Sequence, residues 1–199
     1  MIASGLRIAC LALVLVASPA YAETIRNAAY RFTLSKPDGW HDLSSGALAA
    51  SLRPVDKTNA TETSMVANAA VLAFSKYKEP TDELNSTFMM FGIHVGPAAR
   101  SIPPTRALYG AIGNVMKIGA NATVVSPPKD TTVGGLPAAH ARVVVEIAHA
   151  GQTYQSETDL WCVVRGDSVL LIQIQAKRDD KKAGMDKLRA AVKSIRFER

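Results

Sequence analysis

The chain has 199 residues, 48% of them hydrophobic, with 23 basic and 17 acidic side chains, a formal charge of +6 and two cysteines. That composition is ordinary for a globular protein and excludes wholesale disorder; it fits one domain with a real core. Lys177 to Arg199 hold nine basic and four acidic residues. Apart from Arg7, the rest of the chain is therefore neutral, and the basic balance belongs to one closing element.

Residues 1–22 read as a signal peptide. Arg7 supplies a positive start, Ile8 to Ala17 an apolar run of about ten residues, and Ala20-Tyr21-Ala22 a small-x-small cleavage pattern. The run is too short to span a bilayer, which takes roughly 20 residues. Cys10 opens this run rather than following it, which argues against a lipoprotein. A single domain, residues 23–199, is expected to begin at Glu23, in the periplasm or secreted. Cleavage leaves Cys162 without a partner for an internal disulfide. Its setting, "DLWCVV", is that of an inert core thiol.

In "YRFTLSKPDGW", Tyr30, Phe32 and Leu34 alternate with polar residues, the period of a half-buried strand. Pro37-Asp38-Gly39 turns the chain and delivers Trp40 as a core plug. Gly46 to Val55 and Met65 to Phe74 read as further strands, with a polar loop between them; the alanines of the second keep a helix in competition there. Pro80 opens a predicted helix whose stripe is Leu84, Phe88 and Phe91. Thr105 to Ile118 is a second helix with Leu108, Ile112 and Val115 on one face, closed by Gly119. "VVSPPKDTTVGGLP" reads as a loop. Three strands follow as an antiparallel meander: Ala139 to Ile147, Thr153 to Val164 and Val169 to Lys177. A helix from Asp180 to Lys193 closes the fold, with Met185, Leu188, Val192 and Ile195 on its buried side.

The pieces "YRFTLSKPDGW", "GGLPAAHARVVV" and "KLRAAVKSIRF", in that order, resemble the PsbP-like superfamily, which includes PsbP, Mog-type and DcrB-like exported proteins. The resemblance spans nearly all of residues 23–199. It implies an α+β fold, an α/β/α sandwich built on an antiparallel β-sheet packed with helices. It implies no shared catalytic motif and no cofactor, and it transfers no site residues.

Motifs for chemistry are sparse. There is no Walker loop, dinucleotide fingerprint or nucleophile elbow. The four histidines have no metal-ligand spacing; His140 and His149 sit at an odd offset on one strand and should face opposite sides. His41-Asp42 reads as a surface pair. Arg165-Gly166-Asp167 matches an integrin-recognition tripeptide but is also ordinary turn chemistry.

The expected function is an exported, non-catalytic binding or accessory protein of the cell envelope. It would be a monomer contacting a protein or envelope component, with no nucleic acid and no membrane-spanning segment. A hydrolase with a dispersed site, or a surface protein acting through the basic closing helix, are the alternatives. The candidate contact residues are Trp161, Gln173, Gln175, Glu157 and Arg142, expected on one polar face of the meander with Trp161 as its aromatic anchor.

Overall fold

The computed structural model describes residues 22–44, 70–78, 84–118, 121–149 and 151–198. Among these residues ten strands fall in two sheets. β1 (Glu23–Asn27), β2 (Phe32–Lys36) and β10 (Arg196–Phe197) make a small antiparallel sheet with β2 central. The large sheet has β3 (His41–Asp42), β4 (Ala70–Ser75), β5 (Thr87–His94), β6 (Ala122–Val133), β7 (Leu136–His149), β8 (Gln152–Arg165) and β9 (Ser168–Lys177). Its order is β3-β4-β5-β9-β8-β7-β6, antiparallel throughout. Among the described residues there are two α-helices, α1 (Pro104–Ile118) and α2 (Met185–Ser194), with 3₁₀ turns at Pro97–Ser101 and Lys181–Ala183.

The helices lie on opposite faces of the large sheet. Leu108 and Ile112 of α1 pack on Ala139, Ala141, Val143, Leu160 and Cys162. Alanines at that point of β7 let the helix approach closely. On the other face, Leu188, Ala191 and Val192 of α2 share a core with Phe88, Met90, Leu170, Ile172 and Ile174. Phe32 and Leu34 of β2 enter the same core, so the small sheet and α2 form one covering layer. This is the α+β sandwich that the resemblance implies, with the small sheet as an addition.

Trp40 is a plug, as expected: it is 6% exposed and meets Phe74 edge-on at 6.0 Å between ring centroids. The three meander strands and the closing helix also stand as read, although α2 begins at Met185, after a 3₁₀ turn.

Two assignments are corrected. Phe88 and Phe91 belong to β5, not to a helix. Phe88, Met89, Met90 and Phe91 are all buried, and a strand buried on both faces loses the alternation that would distinguish it from a helix. The proline-bearing "loop" is largely β6, an edge strand. Its register shifts between Val124 and Ser126 and between Ser126 and Lys129, so Pro127 and Pro128 fall at the irregularity, where a missing donor is tolerated. β1 was not foreseen. The predicted strand at Gly46 to Val55, the start of that at Met65 to Phe74, the opening of the predicted Pro80 helix, Gly119 and nearly all of the expected signal peptide lie outside the described residues.

Candidate functional site

The register between β7 and β8 sets His140 opposite Trp161, Arg142 opposite Asp159 and Val144 opposite Glu157. His140, Arg142, Glu157, Asp159 and Trp161 therefore project from one face, the face covered by α2. The imidazole of His140 and the indole of Trp161 stack at 4.6 Å between centroids and 23° between planes.

Asp159 is fully buried and sits at the centre of an ion cluster. Its Oδ1 accepts from Arg142 Nε at 2.8 Å, and its Oδ2 accepts from Arg189 Nε of α2 at 2.8 Å. Glu157 also takes a hydrogen bond from Arg189 and lies 3.4 Å from Arg142 Nε. His140 Nε2, a buried atom, stands 3.3 Å from Asp159 Oδ1 and meets no other partner. Burial by itself would raise the Asp159 carboxyl; His140, Arg142 and Arg189 override that and hold it well below the usual carboxylate range. Burial likewise opposes the charge on Arg189, and the two carboxylates outweigh it and raise the group.

This cluster forms one wall of a cleft of about 710 Å³. The β6–β7 hairpin lies on one side, and Val192, Lys193 and Arg196 on the other. Gly134 and Gly135 make the hairpin turn, both at positive φ. A β-carbon at Gly134 would lie 2.8 Å from the Phe197 ring, so the end of the chain can cross the turn only over glycine. Arg142 and Arg189 balance Asp159 and Glu157. Lys193 and Arg196 have no carboxylate partner among the described residues. Arg196 donates to the carbonyls of Lys193 and Ile195, capping the end of α2. The mouth of the cleft is therefore cationic.

Of the five candidate contact residues, Trp161, Glu157 and Arg142 come together here. Gln173 and Gln175 do not, and this corrects the single polar face. β9 pairs Ile172 with Trp161 and Ile174 with Asp159, whereas Gln173 and Gln175 pair with Leu160 and Thr158. The polar residues of β8 thus share a face with the apolar residues of β9, and the two glutamines look to the opposite side. The residues that sequence reasoning missed are His140, read as an isolated histidine, and Arg189, read as one charge of a basic helix. The signal was present in two neighbouring strands whose polar residues recur at every second position.

Other candidates resolve into structure. Cys162 is 1% exposed on the α1 side, where burial pushes its thiol up to about 11. Arg165 spends its guanidinium on the carbonyls of Tyr30, Arg31 and Glu198, and Asp167 accepts from Arg100 Nε at 2.9 Å. Neither charge of the Arg-Gly-Asp tripeptide is displayed. Asp42 takes a hydrogen bond from Lys36 Nζ at 2.9 Å, while His41 is exposed beside it.

No family model matches the chain, and no curated protein matches it in sequence. Its shape is similar to solved structures. Cyanobacterial PsbP (CyanoP) from Synechocystis sp. PCC 6803 aligns over 92% of this chain and 96% of its own, at 10% identity and a TM-score of 0.54. The Ran-binding protein Mog1p of Saccharomyces cerevisiae aligns over 88% of this chain and 95% of its own, at 10% identity and a TM-score of 0.50. A protein from Bacteroides thetaiotaomicron VPI-5482 aligns over 90% of this chain at 8% identity and a TM-score of 0.52, and this chain spans 49% of its length. Helices on both faces of an antiparallel sheet, the Trp40 plug and these alignments lead to one conclusion: the chain has the PsbP/Mog-like fold.

Proposed function

We propose that this is an exported, non-catalytic binding protein of the cell envelope, acting through the cleft beside α2. The observation that carries the reading is the ion cluster around Asp159. A general acid or base must exchange a proton near the working pH. A carboxylate fixed by two arginines and held far below that range serves as scaffold instead. The buried Cys162 thiol, pushed up to about 11, is equally unsuited to attack a substrate. The fold neighbour described as Ran-binding supports a binding role rather than a catalytic one. Export rests on the pattern of residues 1–22. Among the described residues no helix is long and apolar enough to cross a membrane.

The test uses the two faces against each other. Trp161 and Gln173 lie on opposite sides of the sheet. Capture of a partner from envelope extract should weaken about tenfold for Trp161→Ala, the loss of an aromatic anchor, and stay unchanged for Gln173→Ala. Weakening by Gln173→Ala alone, or by neither variant when both are folded, would remove the cleft from function.

A further inference from the structure

Resting on that reading, the cleft's dimensions and charge narrow what it holds. A volume of about 710 Å³ lies inside the range of roughly 300–1,000 Å³ typical of small-molecule sites. Its wall is a stacked aromatic pair, His140 and Trp161, pinned by direct cross-strand pairing. Val133 and Val192 add apolar surface, and Thr131, on the same strand face as Val133, adds a polar side chain from the hairpin. The mouth holds two cations, Lys193 and Arg196, that the internal carboxylates do not neutralise. The deeper pair, Arg142 and Arg189, is already satisfied by Asp159 and Glu157, so a second acid would meet the outer pair first. Lys129 pairs with His140 on the edge strand β6 and adds a third positive charge on the same face. We propose that the cleft binds a small organic acid with a flat apolar body: the body lies against Trp161 and the valines, and the carboxylate or phosphate sits on Lys193 and Arg196.

The aromatic wall and the cationic mouth make different demands. Apolar area drives entry of the body, while the acid keeps contact with water, with Lys193 and with the guanidinium nitrogens of Arg196 that do not cap α2. Exposed charges are screened at physiological salt over about 8 Å, so the acid should contribute modestly and in a salt-dependent way. A neutral molecule of the same shape should gain the first term and lose the second.

Calorimetric titration with 2-naphthoate, its neutral analogue 2-naphthalenemethanol, and hexaglutamate tests the idea on the chain starting at Glu23. Saturable 2-naphthoate binding is expected, weakened by added salt and about tenfold tighter than the alcohol, a difference of about 1.4 kcal/mol. The double variant Lys193→Gln, Arg196→Gln should erase the preference for the acid, and Trp161→Leu should weaken both ring compounds. Lys193→Gln alone, at an exposed site, guards against a folding defect in the double variant and should halve the preference or more. Equal binding of acid and alcohol to the native protein, or an unchanged preference in the double variant, overturns the proposal. Tight hexaglutamate binding without 2-naphthoate binding overturns it too, in favour of an acidic polypeptide. Partner capture that still depends on Trp161 would then leave the binding-protein reading standing while the small-acid proposal falls.

Discussion

Trp40 lies directly over Gly184. A β-carbon at position 184 would come within 3.1 Å of the indole Cζ2, and Gly184 itself has φ +91° as it leads into α2. The turn at Pro37-Asp38-Gly39 thus delivers an aromatic lid to the start of the closing helix, tying the first third of the chain to the last.

Trp40→Ala should cost about 3–5 kcal/mol, the range for truncating a buried aromatic side chain. Gly184→Ala should cost roughly 1–3 kcal/mol from backbone strain alone, and more from the contact with the indole. Urea unfolding of both single variants and the double variant reads the coupling. The double should be less destabilised than the sum, because removing the indole removes the clash. Strict additivity would mean that the two residues do not touch.

The Asp159 cluster gives a pH signature. The folded carboxyl is held below its ordinary value, so its stabilising contribution is complete above the unfolded value of about 3.9 and is lost as pH falls from there toward the folded value. Asp159→Asn should lower stability at pH 7 by about 1.5–3 kcal/mol, the worth of hydrogen bonds to charged groups. The gap between variant and wild type should narrow at pH 3. A gap of constant size across that range would show that the charge on Asp159 contributes nothing.

Cys162 should react slowly with a thiol reagent at pH 8 in the native protein and quickly in denaturant. Both burial at 1% exposure and a thiol pushed up to about 11 oppose the reactive thiolate. Equal rates in the two states would refute the packing of β8 against α1.

Export should remove residues 1–22. The mature protein would then read Glu-Thr-Ile-Arg from Glu23, the first residue of β1, whose carboxylate lies 2.7 Å from Lys36 Nζ. Intact Met1 in the exported fraction would reject the cleavage.

Much of the fold was legible because its signals are local. The alternation around Phe32, the turn before Trp40, the three meander strands and the stripe of Leu188 and Val192 each depend on a short window. The failures share another cause. Phe88 and Phe91 fit a helical stripe and a doubly buried strand equally well, and only the neighbours β4 and β9 decide between them. Pro127 and Pro128 suggest a loop until β7 supplies the shifted register that accommodates them. The site was half legible for the same reason. Trp161, Glu157 and Arg142 follow from alternation within their strands. The exclusion of Gln173 and Gln175 depends on which residue of β9 lies opposite Trp161, an offset that shifts every side chain to the other face if it slips by one.

The pairing of Phe197 with Phe32 and of Arg196 with Thr33 has a consequence for the history of each molecule. The small sheet joins a strand near one end of the domain to the strand that closes it, reinforced by the Glu198 amide donating to the Arg31 carbonyl at 2.9 Å. Contacts so distant along the chain carry a large loop-closure cost and form late. While the chain is still emerging, from a ribosome or through a narrow pore, β2 keeps an open edge and the α2 layer is missing. The final strand acts as a latch: the native three-stranded sheet exists only after the whole domain has cleared.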